Sequence, residues 1–452
     1  MAQDLPFLTI AEAAVAIEKR DLSPLELTEA LLARIQALNP SLNAYITVAA
    51  EEALARAREA QEEVARGHYR GPLHGIPLAL KDVFATAGMR TTAGSRILAD
   101  WLPQEDALVV RRLRETGAVI LGKLNMHEFA YGVTSINPHY GPVRNPWDQE
   151  RIAGGSSGGS AAALAVGLCL GSLGSDTAGS IRIPAALCGV VGLKPTYGLV
   201  SRQGVVPLAW SLDHVGPMAR TAEDVAILLA AIADTGSHGY REDLKGEVRG
   251  LRVGLPRRYF FEGVEPEVLA AVEAAARTLE GLGMAVEEME LPGAEEALAA
   301  RSAIGFAEAT AYHLPNLRSR PQDYGPDVRL LLEQGLLYPA VHYVQAQRFR
   351  RRFGEDLRNL LQRWDILVTP TTPAAADPIA RGTSDESRRL IRFTGPFNLA
   401  GLPACSLPCG FTGEGLPVGL QIIGRPSEEG TMLRVAHAYQ QATHWHLCRP
   451  PV

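Results

Sequence analysis

Apolar residues recur three and four apart along the first third of the chain. Leu27, Leu31, Leu32, Ile35 and Leu38 share one face of a predicted helix that starts at Ser23-Pro24-Leu25-Glu26 and runs to about Asn39-Pro40. Thr9 and Ser23 each stand three residues ahead of a glutamate, the spacing of a capping box, and Pro24 takes the first helical position. Residues 50–66, rich in Ala and Glu, predict a further helix ending near Gly67. Beyond residue 70 the period shortens. Apolar runs at 76–80 and 118–121 read as strands around a helical stretch at 107–115. Residues 251–255, 366–370 and 418–424 read as more strands, and 265–350 as mostly helix. This alternation predicts an α/β fold with helices on both sides of a sheet.

Composition narrows the class. By length alone, 452 residues correspond to about three domains, although large α/β folds run longer as one unit. No internal repeat or low-complexity tract is visible, and one composition break falls at Thr235-Gly236-Ser237-His238-Gly239. A net charge of −6 argues against broad binding of nucleic acid or anionic membrane. The basic cluster Arg348, Arg350, Arg351 and Arg352, beside Glu355 and Asp356, reads as a solvated helix face. The first residues lack the basic region and apolar run of a secretory leader. No apolar stretch approaches the roughly 20 residues of a membrane span. Cysteines 169, 188, 405, 409 and 448 show no CxxC spacing. They predict reduced thiols in a cytoplasm rather than disulfides or a zinc site.

Two features carry chemistry. Only five of the 44 basic residues are lysine, at 19, 81, 123, 194 and 245. A desolvated ammonium gives up its proton and a guanidinium does not, so lysine is kept where proton transfer is needed. Lys81 closes the apolar run Gly75-Ile76-Pro77-Leu78-Ala79-Leu80, and Lys123 and Lys194 stand in similar contexts. The second feature is a pair of glycine-lined stretches, Gly154-Gly155-Ser156-Ser157-Gly158-Gly159-Ser160 and Gly174-Ser175-Asp176-Thr177-Ala178-Gly179-Ser180-Ile181-Arg182. The first leads into Ala161-Ala162-Ala163-Leu164, a buried-looking helix, which argues for an ordered loop rather than a linker. Neither carries the Gly-Lys-Ser/Thr or GxGxxG of a phosphate or dinucleotide site. The second resembles a nest of backbone N–H groups around a nucleophile.

These residues resemble the amidase signature family. That family's segment, from Gly-Gly-Ser-Ser-Gly-Gly to Asp-x-x-Gly-Ser-Ile-Arg-x-Pro, matches residues 154–184, and Lys81, Ser156 and Ser180 keep the spacing of its Lys, Ser and Ser. Further similar blocks are Gly122-Lys123-Leu124-Asn125-Met126-His127-Glu128-Phe129, Gly192-Leu193-Lys194-Pro195-Thr196, Ser211-Leu212-Asp213-His214 and Asn398-Leu399-Ala400-Gly401-Leu402-Pro403. The resemblance is strong over 70–230 and 390–425 and weak over 240–385. It implies one domain over 1–452 with a mixed central sheet. Its parts are a helical segment at 1–70, a catalytic core at 71–235, a substrate-shaping region at 240–385 and a return to the core at 386–452.

The resemblance also implies roles. Ser180 is the acylated nucleophile, Ser156 the bridge, preceded by a cis Gly155–Ser156 bond, and Lys81 the base. The N–H groups of Thr177, Ala178, Gly179 and Ser180 form an oxyanion hole. Asp176 and Arg182 brace the turn, and Ser157 donates from behind. Ala178 departs from the usual glycine, which questions the hole's geometry if a positive φ is required there. Met126, Tyr131 and Trp210 are candidates for the acyl pocket. Lys123 and Lys194 are rival bases, while His127 and His214 read as packed histidines and Cys188 as a small core residue. His444 and His446 read as a surface tail rather than a metal pair.

The implied reaction is hydrolysis of a carboxylic amide, with a small-molecule amide as partner and no cofactor or metal. Nucleic acid and membrane are not expected, and homo-oligomerisation is left open. One alternative is the amide-hydrolysing subunit of a tRNA-dependent amidotransferase. That subunit typically carries paired arginines and an aspartate, where this chain has Leu330-Leu331 and Leu390-Ile391-Arg392-Phe393. On that ground a free-standing amidase is preferred. A catalytically silent binding subunit is the remaining alternative.

Overall fold

A computed structural model describes residues 4–234, 239–381 and 388–452. Of the composition break read at 235–239, residues 235–238 lie outside them.

The N-terminal helices follow their predicted caps. Thr9 Oγ1 accepts from Glu12 N at 3.0 Å, and Glu12 Oε2 accepts from Thr9 N at 2.8 Å, closing the capping box. Ser23 Oγ accepts from Leu25 N and Glu26 N at 3.0 and 3.3 Å. Among the described residues the reciprocal bond from Glu26 is not formed, and the Ser23 hydroxyl instead meets Gln61. This helix, Pro24–Leu42, continues past the predicted stop and holds Pro40 inside it. Asn43 ends it in the left-handed region at φ 55°, a conformation that asparagine tolerates better than most residues.

Thirteen strands are formed among the described residues. In chain order they are β1 (Tyr45–Val48), β2 (Pro77–Lys81), β3 (Val119–Leu124), β4 (Arg144–Asn145), β5 (Asp148–Ile152), β6 (Gly171–Asp176) and β7 (Val191–Lys194). They continue as β8 (His214–Ala219), β9 (Arg252–Pro256), β10 (Ala285–Met289), β11 (Ile366–Pro370), β12 (Ala404–Phe411) and β13 (Pro417–Gly424). Eleven join one sheet in the order β1-β3-β2-β6-β8-β7-β12-β13-β11-β9-β10, while β4 and β5 pair separately. The sheet is mixed: β3-β2-β6 run parallel, β8 through β13 pair antiparallel, and β11-β9-β10 return to parallel pairing. Helices cover both faces, giving the expected α/β architecture.

This topology sets the site. β2 and β6 are parallel neighbours inside the sheet with Leu80 opposite Leu173, so Lys81 and Asp176 both stand at the carboxyl ends of their strands. Crevices outside the carboxyl ends of parallel strands are where α/β folds place ligands. β6 escaped the periodicity reading because Gly171-Ser172-Leu173-Gly174-Ser175-Asp176 has the composition of a loop. Packing explains it: a Cβ on Gly174 would lie 2.9 Å from both Ile181 Cγ1 and Ser157 Oγ.

The middle region is helical at Pro266–Gly281, Ala294–Ser319, Pro326–Gly335 and Ala340–Leu360. It also inserts β10, which the helical reading missed; its Glu287 and Glu288 are exposed at the sheet's edge and mask the apolar alternation. The basic cluster is only partly a solvated face. Arg348, Arg351 and Arg352 are exposed, but Arg350 donates to the carbonyls of Leu399 and Ser211 at 3.1 and 2.5 Å.

Candidate active site

The end of β2 delivers Lys81 into the interior, where its side chain is fully buried. Nζ lies 2.6 Å from Ser156 Oγ and 2.8 Å from Ser175 Oγ. Ser175 was not among the predicted site residues, although it lies two positions before Thr177 on the strand that feeds the nucleophile loop. Burial pulls the pKa of Lys81 down to about 7, with Asp176 and Asp213 pulling back. An ammonium that loses its proton near neutrality is chemically fit to serve as a base.

Ser156 follows a cis Gly155–Ser156 bond, the isomer expected there. Its carbonyl accepts from His127 N at 3.2 Å. Ser157 reaches the second loop twice: its N–H donates to Ser180 O at 3.1 Å and its Oγ to Ser175 O at 3.3 Å. The helix Gly158–Ala165 then starts, with every residue buried. Ser180 is almost wholly buried yet lines the largest of the described cavities, of about 720 Å³. Among the described residues its Oγ makes no hydrogen bond, so the Ser156–Ser180 link of the implied relay is open here.

The turn that carries Ser180 is held by Asp176 and Arg182, both fully buried and paired at 2.9 Å. Arg182 places all five of its N–H donors: two on Asp176, and one each on Gln421 Oε1, Asn398 Oδ1 and Thr394 O. Burial pushes the carboxyl of Asp176 up, but Arg182 more than offsets this and holds it well below the usual carboxylate range. Asn398 Nδ2 adds a bond to Asp176 Oδ1 at 2.8 Å, which gives the Asn-Leu-Ala-Gly block its structural sense.

The implied oxyanion hole needs one correction. Gly179 N–H donates to Asp176 Oδ1 at 2.7 Å and is therefore committed to the turn. The N–H groups of Thr177, Ala178 and Ser180 have no partner among the described residues. Ala178 takes no positive φ, whereas Gly179 does, at 130°. The glycine-to-alanine departure thus falls where alanine is tolerated.

The pocket candidates separate. Tyr131 lines the cavity beside Ser180. Met126 does not: it is wholly buried, tucked beneath the backbone at Gly94. Trp210 is 46% exposed and lines a neighbouring cavity of about 350 Å³ that shares Thr177 with the first. Both were misread because proximity to a motif in sequence does not fix which face a side chain takes. The rival bases are bound elsewhere. Lys123 donates to Phe84 O, to Thr91 Oγ1 at 2.8 Å and to Thr86 Oγ1 at 3.1 Å. Lys194 donates to Leu402 O and lies 3.4 Å from His214 Nε2. His127 pairs with Asp327 at 3.0 Å at the cavity wall. Cys188 donates to Ala153 O, and burial pushes its thiol up.

Known proteins match the chain along nearly its whole length. The family model described as Amidase covers residues 26–433. The chain belongs to the amidase family. It is 45% identical, over 99% of each chain, to the glutamyl-tRNA(Gln) amidotransferase A subunit of Moorella thermoacetica. Among solved structures it is similar to a chain from a vestigial protein complex described as revealing the evolutionary origins of an s-triazine catabolic enzyme, with TM-score 0.90, 40% identity, and 96% of this chain and 98% of the other covered. It is also similar to a peptide amidase bound to the competitive inhibitor chymostatin, with TM-score 0.87, 34% identity and 99% of each chain covered. Two of these descriptions, the first and the second, speak of a subunit or a complex. Among the described residues no helix is long and apolar enough to cross a membrane.

Proposed function

We propose that the chain hydrolyses a carboxylic amide through an acyl-enzyme on Ser180. Neutral Lys81 takes the proton of Ser156, which takes that of Ser180 as Oγ attacks the carbonyl carbon. The N–H groups of Thr177, Ala178 and Ser180 receive the oxyanion, a contribution of around 3 kcal/mol per donor in known cases. The proton returns through the serines to the leaving nitrogen, the C–N bond breaks, and ammonia or an amine departs. Water then attacks the ester, with Lys81 again accepting the proton through Ser156; as the acyl C–O bond to Ser180 breaks, that proton returns to Ser180 Oγ and the free acid leaves. The observation that carries this reading is the 2.6 Å bond between the buried Lys81 and Ser156, one loop away from a serine that opens on a cavity. Incubation with a fluorophosphonate, followed by peptide mass spectrometry, is expected to label Ser180; a label on Ser156 or Cys188 overturns the assignment.

A second reading keeps this chemistry inside a complex, as the glutaminase subunit of a tRNA-dependent amidotransferase. The 45% identity to the Moorella protein favours it over the free-standing enzyme expected from sequence. Leu330 and Leu331, both on the cavity wall, favour the free-standing enzyme, because they stand where the family resemblance aligns paired arginines. Ammonia release from simple amides by the purified chain supports the free-standing reading. Glutaminase activity that needs partner subunits and charged tRNA supports the complex. The five free cysteines fit a reducing, cytoplasmic setting for either.

A further inference from the structure

The helix Ala294–Ser319 carries a charged side chain into the cavity that holds Ser180. Arg301 is 8% exposed and lines that cavity, yet among the described residues it makes no hydrogen bond or salt bridge. Its Nε is buried without an acceptor. Arg182, buried still more deeply, satisfies all five donors, so the lack of a partner is specific to the place of Arg301. A second unpartnered group shares the cavity: the Tyr131 hydroxyl, on a residue 7% exposed, is buried with no partner. Burial works against the charge of Arg301, and Tyr131, Asp213 and Asp176 are the groups that ease it.

None of the nearby carboxylates is available as its counter-ion. Asp176 is paired with Arg182. Asp213 accepts from Thr177 Oγ1 at 2.6 Å and from the N–H groups of Leu208 and Ala209. Asp327 takes His127, and Glu295, also on the lining, is exposed to water. A desolvated guanidinium without a partner is costly to keep, and five N–H donors in a fixed fork match a carboxylate in two-point contact. Around it the wall is apolar, with Val133, Leu298, Phe306 and Leu331, a lining suited to a short methylene chain.

We infer that Arg301, helped by the Tyr131 hydroxyl, receives a carboxylate of the substrate, so that the amide presented to Ser180 belongs to a molecule that also bears a free carboxylate, such as the monoamide of a short dicarboxylic acid. The inference rests on the proposed amide hydrolysis for the reacting end of the molecule. It does not rest on it for the anchored end, and the two are tested apart.

Binding is measured by titrating succinate, glutarate and adipate into the Ser180→Ala protein, which needs no chemistry. At least one is expected to bind saturably, and Arg301→Met in that background is expected to weaken it about 100-fold. Arg301→Lys, which keeps the charge but loses the fork, is expected to fall between and also serves if the Met variant does not fold. No binding by any of the three, or binding indifferent to both substitutions, overturns the inference. Turnover is measured as kcat/KM for glutaric acid monoamide against pentanamide, its neutral counterpart. The carboxylated amide is expected to be preferred about 100-fold, with Arg301→Met collapsing the ratio toward one. An unchanged ratio overturns the inference. If no amide is turned over while dicarboxylate binding depends on Arg301, the amide-hydrolysis reading fails and the anion site stands.

Discussion

Lys81 Nζ stands 2.8 Å from Ser175 Oγ, nearly as close as it stands to Ser156. The base is thus held between two hydroxyls, one on the glycine loop and one on the strand that leads to the nucleophile. A hydroxyl accepting from the ammonium favours its charged form. Ser175→Ala removes that acceptor, so the pKa of Lys81 moves further down, and the acidic limb of the rate profile shifts to lower pH. Loss of one hydrogen bond that orients the base is expected to cut kcat by about 10-fold. A purely structural role for Ser175 leaves the pH profile in place, so kcat/KM measured across pH 5–10 separates the two.

Burial brings Lys81 to about 7, and only its neutral form accepts a proton. The expected profile therefore rises with pH through that region and levels above it; a fall with rising pH over the same interval contradicts the role. Lys81→Ala is expected to lower kcat by about 10²–10⁴-fold, the usual share of a general base. Lys81→Arg is expected not to restore it, because a guanidinium keeps its proton. Collapse on Lys123→Ala or Lys194→Ala, with Lys81→Ala active, would reassign the base.

Much of this site was legible because its chemistry is local in sequence. Ser156, Ser180, Asp176 and Arg182 fall in one continuous segment, and Lys81 ends a strand that its apolar run announces. What stayed hidden depends on long-range packing. β6 carries glycine and serine because close neighbours leave no room for larger side chains, so its composition imitates a loop. Met126 and Tyr131 lie five residues apart around the same motif, yet one is sealed in the core and the other opens on the cavity. Arg301 belongs to the region of weakest resemblance, and nothing in its neighbourhood of alanines marks a helix position that faces inward. The commitment of Gly179 N–H to Asp176 is equally invisible before the turn is folded.

The Asp176–Arg182 pair is both a brace and a hazard to stability. Arg182→Met leaves the Asp176 carboxylate buried with only part of its hydrogen bonding, a change that costs about 3–5 kcal/mol when a buried pair loses one partner. The variant is expected to unfold at markedly lower urea concentration, with activity lost in whatever fraction remains folded. Replacing both partners, as Asp176→Asn with Arg182→Met, removes the stranded charge and is expected to recover part of the stability. A double variant that is less stable than Arg182→Met alone would contradict that account.

Gly179 and Ala178 make the sharpest contrast within one loop. Gly179 holds φ at 130°, and a Cβ built there would lie 2.3 Å from Thr394 Oγ1, whose hydroxyl is already engaged by the Ala178 carbonyl. Relieving that clash moves either Thr394 or the turn, and the positive φ adds strain of about 1–3 kcal/mol. Because Ala178 and Ser180 flank the position, their N–H groups shift with it, and misplacing an oxyanion donor costs about 10²–10³-fold in kcat. Gly179→Ala is therefore expected to lose activity by at least that factor while Ser180 remains present. Ala178→Gly keeps the N–H and relaxes only the backbone, so kcat within about 10-fold of the parent is expected. Steady-state rates for the two variants, beside circular dichroism to establish folding, check the contrast. Comparable losses in both would mean that the loop tolerates neither change and that the donor at 178 depends on its methyl group.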